Sequence, residues 1–217
     1  DVNIDVGDVN NDGRNDIVLT PSEEEGEYYR ISWLESPENL KGIWPEHIVD
    51  QNVEAVHHSV KVKDFNNDGY IDILTAEVNQ SKNPDEVKIY LNDPEVNTWE
   101  KHVVAVTGSQ NIQAIDIDND FDMDIFGTHW QFKDYTGDYP VQLWKNKISQ
   151  ASESNWIRHV IDNDTPWHAV FVYGANIDGD NPTDIVTVGR WAKDQGSARV
   201  ASQRAVIDAR ANKWACS

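Results

Sequence analysis

Cysteine is almost absent from this sequence. The only one, Cys216, is the penultimate residue, so no disulfide can form within the chain. No apolar run reaches the length of a membrane-spanning helix, and we therefore expect no membrane insertion. No signal peptide is visible and the chain begins at Asp1 without methionine. We therefore expect a mature, trimmed or fragmentary chain.

Basic residues are also scarce. Lys and Arg number 18 against 38 Asp and Glu, which gives a formal net charge of −20 at pH 7. A nucleic-acid partner is not expected, because phosphate binding requires a surplus of Lys and Arg. An anionic membrane surface is disfavoured for the same reason. Divalent cations are the natural counter-charge, and the alternative is that the acidity serves solubility.

The residues that are present predict a folded protein with internal repeats. The chain has 217 residues, 39% of them hydrophobic, and nine tryptophans, which disordered acidic chains lack. An acidic loop recurs four times along the chain. Its copies are DVNNDGRND from Asp8, DFNNDGYID from Asp64, DIDNDFDMD from Asp116 and NIDGDNPTD from Asn176.

Two further markers recur in step with the loop. One is a W-x-x-H pattern that begins at Trp44, Trp99 and Trp156. The other is the segment ISWLESP, which returns as VKIYLND and VQLWKNK. Short β-branched runs such as DIVLT and DILTA follow each loop, so each repeat predicts four short strands.

Four antiparallel strands per repeat predict an all-β fold, a β-propeller built from four repeats of four-stranded antiparallel blades. We expect a single domain over 1–217, with blades at about 1–50, 51–106, 107–162 and 163–217. The third-strand aromatics Trp33, Tyr90 and Trp144 are predicted to pack between blades.

The acidic loops predict calcium sites, up to four in the chain. Calcium takes six to eight oxygen ligands, and a loop with acidic or amide side chains at alternate positions can surround one ion. The seventh residue of each loop would contribute its backbone carbonyl. The predicted metal ligands are Asp8, Asn10, Asp12, Arg14, Asp16, Asp64, Asn66, Asp68, Tyr70, Asp72, Asp116, Asp118, Asp120, Asp122, Asp124, Asn176, Asp178, Asp180, Pro182 and Asp184.

Two alternatives to such calcium loops are an EF-hand and a plain turn without metal. An EF-hand is excluded, because it needs Glu at position twelve and flanking helices, whereas Leu19 and Thr75 stand there between predicted strands. A plain turn without metal stays open, most of all in loops three and four. In loop three Phe121 replaces glycine at a position expected to be left-handed, and in loop four Asn176 replaces the first carboxylate.

The pattern D-x-[DN]-x-D-G-x-x-D followed by D-[IL]-[VL] resembles the FG-GAP/VCBS repeat, and the resemblance covers all four repeats. It implies a propeller, often seven-bladed, with Ca²⁺ in the blade loops, as in integrin α-subunits and many secreted bacterial proteins. It fixes no function, since adhesion modules, lectin-like modules and polysaccharide lyases share it. Four repeats leave two arrangements: closure within one chain, which we favour, or a fragment of a larger propeller whose open blade edges pair with a second copy.

The histidines divide into two groups. His47, His102 and His159 repeat at one blade position and are interpreted as packing residues. Others do not repeat and are candidates for a channel-mouth site with a catalytic or zinc-binding role. This second set is His58, His129, His168, Tyr173 and Arg190, with Trp130 beside them.

The sequence favours a non-catalytic, calcium-bearing module that binds a glycan or a protein. We expect it to be extracellular or secreted, with a cell-surface or periplasmic location as variants. The alternative is a polysaccharide lyase-like enzyme acting on uronate-containing glycans, in which a neutral His or Tyr removes the proton beside a carboxylate that Arg190 neutralises.

Overall fold

All regular secondary structure that could be assigned is β-strand. The computed structural model describes residues 1–22, 24–78, 80–82, 84–128, 141–147, 156–162, 168–175, 184–190, 200–208 and 213–216. These residues form four four-stranded antiparallel sheets, so the predicted all-β class with four four-stranded blades is confirmed. The described part of the chain contains no helix that could cross a membrane.

The chain divides into two compact units, and the first unit, Asp1–Ser109, contains two sheets. The first sheet consists of β1 (Val2–Gly7), β2 (Asp16–Pro21), β3 (Glu24–Leu34) and β4 (Glu46–Ala55). The second sheet consists of β5 (His57–Lys63), β6 (Asp72–Glu77), β7 (Val87–Asp93) and β8 (Thr98–Ala105). In both sheets the spatial order of the strands follows the chain order.

The second unit, Gln110–Ser217, repeats the same plan. The third sheet consists of β9 (Asn111–Ile115), β10 (Asp124–Thr128), β11 (Val141–Asn146) and β12 (Trp156–Asp162). The fourth sheet consists of β13 (His168–Ala175), β14 (Asp184–Arg190), β15 (Val200–Asp208) and β16 (Lys213–Cys216). Strand order again follows chain order, which gives each sheet the up-and-down course of a propeller blade.

The acidic segments connect the first two strands of each sheet. We name them loop one (8–16), loop two (64–72), loop three (116–124) and loop four (176–184). In every sheet the last aspartate of the loop opens the second strand and pairs with the final residue of the first. These pairs are Gly7–Asp16, Lys63–Asp72, Ile115–Asp124 and Ala175–Asp184.

Burial across the sheets follows the composition of the strands. Every residue of β6 and β10 is buried, and each of these short strands lies between two neighbouring strands of its sheet. The outer strand β8 instead alternates between exposed and half-buried residues. The buried residues are therefore concentrated in the inner strands of the second and third sheets, including β7 and β11.

The core of the first unit lies between its two sheets. Trp33 of the first sheet and Tyr90 of the second are both buried in it, so their predicted packing role is confirmed. The repeating histidines show that the two aromatics are not equivalent. His47 pairs with Trp33 but His102 pairs with Ile89, one residue before Tyr90. Trp33 and Tyr90 therefore differ by one position within the repeat, and each ring reaches the shared core from its own sheet.

The core of the second unit combines residues of the third and fourth sheets, including Phe126, Leu143 and Val172. Gly174 of β13 permits a close approach between them, since a Cβ added there would lie 3.0 Å from Ile115 Cδ1 and 3.2 Å from Phe126 Cζ. A larger residue would push these side chains away, so we assign this glycine to packing.

The outward face of β1 is apolar and exposed. Val2 and Ile4 are each 61% exposed and Val6 is 54% exposed. The register places Ile4 and Val6 in the positions of Val60 and Val62, which are buried against the first sheet. The same pattern is thus packed in the second sheet and exposed in the first.

Candidate metal-binding loops

The three described loops share one backbone shape. The fourth residue of each is an asparagine with positive φ: Asn11 at 58°, Asn67 at 59° and Asn119 at 62°. The sixth residue is also left-handed, with φ of 87° at Gly13, 89° at Gly69 and 72° at Phe121. Glycine and asparagine adopt this region at low cost, but phenylalanine does not. The expected strain at Phe121 is therefore present.

The first aspartate of each loop accepts hydrogen bonds from the loop's own backbone, which folds the turn around its carboxylate. Asp8 accepts from Asp12 N at 2.9 Å and from Gly13 N at 2.7 Å. Asp64 accepts from Gly69 N at 2.9 Å. In loop three the corresponding bonds run from Asp120 N at 3.1 Å and Phe121 N at 3.0 Å to Asp116.

The last aspartate of each of the three described loops is fully buried, and each of its two oxygens accepts one backbone N–H. One donor is the second residue of the loop, and the other lies within two residues of the end of the third strand. The donors are Val9 and Ser36 for Asp16, Phe65 and Asn92 for Asp72, and Ile117 and Asn146 for Asp124, with N···O distances of 2.8 to 3.2 Å. We call this arrangement the carboxylate clasp.

The clasp places carboxylates where water cannot solvate them. Burial raises the pKa of Asp72 to about 7, and it raises the pKa of Asp124 to about 7 as well; the backbone hydrogen bonds oppose this shift only in part. The pKa of Asp16 is raised for the same reason. Each carboxylate oxygen keeps a second acceptor site beyond its backbone bond. The assignment of these residues as ligands therefore stays a prediction.

Loop two has the arrangement best suited to a cation. Asp64 Oδ1 is buried and accepts no hydrogen bond, although the other oxygen of the same carboxylate does. Asn66 Nδ2 donates to Asp68 Oδ2 at 2.8 Å, which holds the third and fifth residues of the loop together. A polar cleft of about 310 Å³ lies beside the loop and is partly lined by Asn66, Asp68 and Tyr70.

Loop one differs in carrying a cation of its own at position seven. The Arg14 guanidinium contacts Asp12 Oδ2, and its Nε donates to Ser36 O at 2.7 Å. The Arg14 side chain thereby links the loop to the residue that also donates to Asp16. Asp12 N in turn donates to Asn10 Oδ1 at 3.2 Å.

Loop three brings the largest number of carboxylates together. Oxygens of Asp116, Asp118 and Asp120 lie within 4.8 Å of one another. Lys145 Nζ, from β11, contacts Asp118 Oδ2 and lies 3.4 Å from Asp120 Oδ2. Asp118 Oδ1 is buried without a hydrogen-bond partner. Both an ammonium group and an unused acceptor are thus found in this loop.

Comparison with known families agrees with the repeated loops. The family described as FG-GAP-like repeat matches residues 8–75 and 64–127, which together span more than half of the chain. The chain belongs to the FG-GAP-like repeat family. Both matches begin at the first aspartate of a loop and extend through at least one following strand.

Other comparisons are less informative about this FG-GAP-like chain. No curated protein matches the sequence significantly. Among solved structures, an endo-arabinase from Bacteroides thetaiotaomicron VPI-5482 is similar with a TM-score of 0.48 and 10% sequence identity. The similarity covers 94% of this chain and 75% of the arabinase. A likeness this distant says nothing about activity.

The fourth FG-GAP-like loop lies almost entirely outside the described residues. Asn176, Asp178, Asp180 and Pro182 belong to that part, and only Asp184, at the start of β14, is described. Its pairing with Ala175 follows the same register as in the other three sheets. The predicted calcium site of loop four stays a prediction.

The candidate channel-mouth residues are spread over both FG-GAP-like units. His58 lies in β5 of the first unit, whereas His168 and Arg190 lie in the second unit, where they are direct cross-strand partners. Tyr173 is 67% exposed. His129 and Trp130 lie outside the described residues. A catalytic or zinc site formed by these groups therefore stays a prediction.

The repeating histidines of the FG-GAP-like blades do not behave alike. His47 stacks on Trp33 with ring centroids 4.2 Å apart, and its Nε2 lies 2.8 Å from Glu35 Oε2. His102 lies 3.1 Å from Glu100 Oε1. His159 is exposed on β12. The packing interpretation therefore holds for His47. It does not hold for His159, which lies on the outer strand β12 and is exposed to solvent.

A buried polar cluster was not predicted from the sequence. At the end of the second sheet opposite loop two, Lys88 Nζ lies 2.5 Å from Glu77 Oε1, and both side chains are buried. His57 Nε2 lies 3.6 Å from the same oxygen, and burial holds the pKa of His57 well below its usual 6.5. Burial, together with Glu77 and Glu54, raises the pKa of Asp85 to about 6. Nothing in the local sequence signals this cluster, because strand pairing brings its members together.

Proposed function

We propose that this chain is a calcium-stabilised, non-catalytic module that binds a glycan or a protein outside the cell. The family membership and the four blade-type sheets support a module of the propeller class. The arrangement of loop two supports calcium binding.

The observation that supports calcium is the buried, unpartnered oxygen Asp64 Oδ1. A buried carboxylate oxygen without a partner costs free energy, and a bound cation removes that cost. Every predicted metal-ligand atom of loop two is an oxygen, and oxygen ligands suit calcium better than the softer transition metals. The residues therefore fit the ion.

In this proposal, the ion in loop two is held by the side chains of Asp64, Asn66, Asp68 and Asp72 and by the carbonyl of Tyr70. Once bound, it supplies the positive charge that three neighbouring carboxylates require. These residues themselves connect β5 to β6, so a common ligand set joins the two strands at their turn. Loop one offers the same donor types, but Arg14 already contacts Asp12 and lowers the need for a metal there.

Calcium binding is tested by isothermal titration calorimetry on chelator-treated protein. We expect binding, with one fewer site in Asp68→Asn. Glu38→Gln is the matched control, because it removes one exposed negative charge outside the loops and should leave the number of sites unchanged. Absence of calcium binding at millimolar concentration would remove the proposed role of the loops.

A polar cleft in the first unit supports the ligand-binding part of the proposal. It has a volume of about 280 Å³ and lies at the end of the second sheet opposite loop two. Lys101 Nζ lies 2.7 Å from Glu86 Oε2 at this cleft, so both ammonium and carboxylate groups line its wall. Such a wall offers donors and acceptors to the hydroxyl groups of a sugar or to a peptide backbone.

The cleft is tested by screening the protein against an array of neutral and acidic oligosaccharides. We expect Lys101→Ala to weaken any binding found and Lys41→Ala, an exposed lysine outside the cleft, to leave it unchanged. Equal binding by both variants would show that the cleft does not hold the glycan.

The extracellular location follows from the expected strength of the sites. Extracellular calcium modules bind with dissociation constants of about 10⁻⁴–10⁻³ M, far above cytosolic calcium levels. Loop two presents a neutral amide at Asn66 in place of a fourth carboxylate, and we expect its affinity to fall in this weaker range. A module that depends on such sites is loaded only where calcium is plentiful.

A further inference from the structure

We propose that Lys145 takes the position of the metal in loop three, so that this blade is joined by an internal ion pair and not by calcium. This inference rests on the proposed calcium function of the other loops. It assigns loop three a different counter-charge from loop two, within the same backbone shape.

The first support is the set of oxygens that Lys145 contacts. Its Nζ contacts Asp118 Oδ2 and lies 3.4 Å from Asp120 Oδ2. These are the third and fifth residues of the loop, the same two positions whose side chains we assign to calcium in loop two. A single ammonium group therefore lies between two carboxylates that a metal would have to share.

The second support is that no other described loop receives a lysine from its third strand. The clasp donors Ser36, Asn92 and Asn146 are equivalent positions, so the residue before each can be compared. That residue is Lys145 in the third sheet, Leu91 in the second and Glu35 in the first. Leu91 brings no charge to loop two, and Glu35 pairs with His47.

The third support is burial. The side chains of Lys145, Asp118 and Asp120 are 19%, 26% and 25% exposed, so the ion pair is shielded from most of the solvent. A shielded pair is screened by salt less than a surface pair and competes more effectively with a dissolved ion.

The fourth support is independent of Lys145. Loop three is the only described loop without glycine at position six, and its Phe121 has a φ of 72°. The loop also carries five aspartates between Asp116 and Asp124, whereas loop two carries three between Asp64 and Asp72. Loop three thus departs from the glycine-containing pattern and has a greater need for a permanent positive charge.

The inference is tested by counting bound calcium after equilibrium dialysis, with metal analysis by mass spectrometry. We expect Lys145→Leu, which installs the residue found at position 91, to bind one more calcium ion per chain than the wild type. Lys145→Arg keeps the positive charge and should gain none. Lys41→Leu removes one positive charge outside the loops and should also gain none.

A second comparison uses wild-type Lys145 and does not depend on the folding of Lys145→Leu. Asp118→Asn should leave the number of bound calcium ions unchanged, whereas Asp68→Asn should lower it by one. A loss of one calcium in Asp118→Asn, or no gain in a folded Lys145→Leu, would overturn the inference. A wild type that binds no calcium would instead overturn the proposed function, and a site gained by Lys145→Leu would then still support the role of Lys145.

Discussion

At the scale of single residues, the loops depend on two left-handed positions. Asn11, Asn67 and Asn119 occupy the first of them, and asparagine tolerates positive φ better than other residues with a side chain. Phe121 occupies the second in loop three, where Gly13 and Gly69 stand in the other loops. Its ring is 82% exposed, so little packing energy offsets the backbone strain.

We predict that Phe121→Gly stabilises the protein. The left-handed region costs a residue with a side chain about 1–2 kcal/mol, and glycine avoids that cost but loses more entropy on folding. We expect a net gain of about 1 kcal/mol in the free energy of unfolding, measured by urea denaturation in chelator. Asn119→Gly is the control and should gain less. A loss of stability in Phe121→Gly would mean that the ring makes contacts that matter.

The candidate ligands are the part of the site that can be proposed from the sequence at this scale. Their alternate spacing is local, so it is visible without knowledge of the fold. The clasp partners are not visible in this way. Ser36 lies 20 residues from Asp16 and Asn146 lies 22 residues from Asp124, and the donor in each case is a backbone N–H, which leaves no signature in residue type.

At the scale of strands and loops, the carboxylate clasp connects three segments of each described sheet. The buried carboxylate of Asp72 accepts from Phe65 N at 2.8 Å and from Asn92 N at 2.9 Å. It thereby fixes the turn between β5 and β6 to the end of β7. Asp68, in contrast, accepts from Tyr70 N within the exposed part of the loop.

We predict that Asp72→Ala and Asp68→Ala respond differently to calcium. In chelator, Asp72→Ala should lower the free energy of unfolding by about 3 kcal/mol, because two buried N–H groups lose their acceptors at about 1–3 kcal/mol each. Asp68→Ala should cost less than about 1 kcal/mol under the same conditions and more when calcium is present. Chemical denaturation with and without calcium measures both. Equal costs in chelator would contradict the clasp.

The ion pair between Lys88 and Glu77 is a second device at this scale. It joins adjacent strands β7 and β6, and both side chains are buried. Removing one partner of such a pair leaves an uncompensated charge in a region of low dielectric constant.

We predict that Lys88→Met lowers the free energy of unfolding by about 3 kcal/mol, in line with the loss seen when one member of a buried pair is removed. Adding Glu77→Gln to Lys88→Met removes the stranded charge and should recover part of the loss. The comparison is made by thermal and urea denaturation of the two variants. A double variant less stable than Lys88→Met would show that Glu77 acts mainly through Glu86 N, which donates to it at 3.0 Å.

The strands themselves could be predicted because each is short, β-branched and bounded by turn residues. Their register could not, and register decides which side chains meet. Local sequence patterns give Lys145 no role, since only the pairing of β10 with β11 brings it to loop three. Register also separates Trp33 from Tyr90. The two look equivalent in sequence, but the strand pairing offsets them by one position in the repeat.

At the scale of the whole chain, the net charge of −20 is the dominant property. Like charges repel one another in the compact state, and a divalent ion bound only by the folded protein reduces that repulsion where it is strongest. The repeat plan, four acidic loops in one chain, follows from the sequence directly. The relation of the candidate histidines to one another does not, because they are far apart in the chain and belong to different units.

We predict that chelation lowers the melting temperature. An ion present at 100 times its dissociation constant stabilises the folded state by about 2.7 kcal/mol per site. Scanning calorimetry in excess EGTA and in millimolar calcium measures the shift, and magnesium serves as the control ion because it retains its waters. Identical melting under all three conditions would contradict a structural role for calcium.

The carboxylate clasp has a consequence for how such a protein is loaded. Since Asp16, Asp72 and Asp124 are held by backbone groups of the chain alone, an arriving ion meets a hairpin that is already shaped. Little ordering entropy is lost at that moment, so exchange with the surroundings should be quick and leave the sheets intact. Such a module would respond reversibly to the calcium concentration of its surroundings, without unfolding each time the metal leaves.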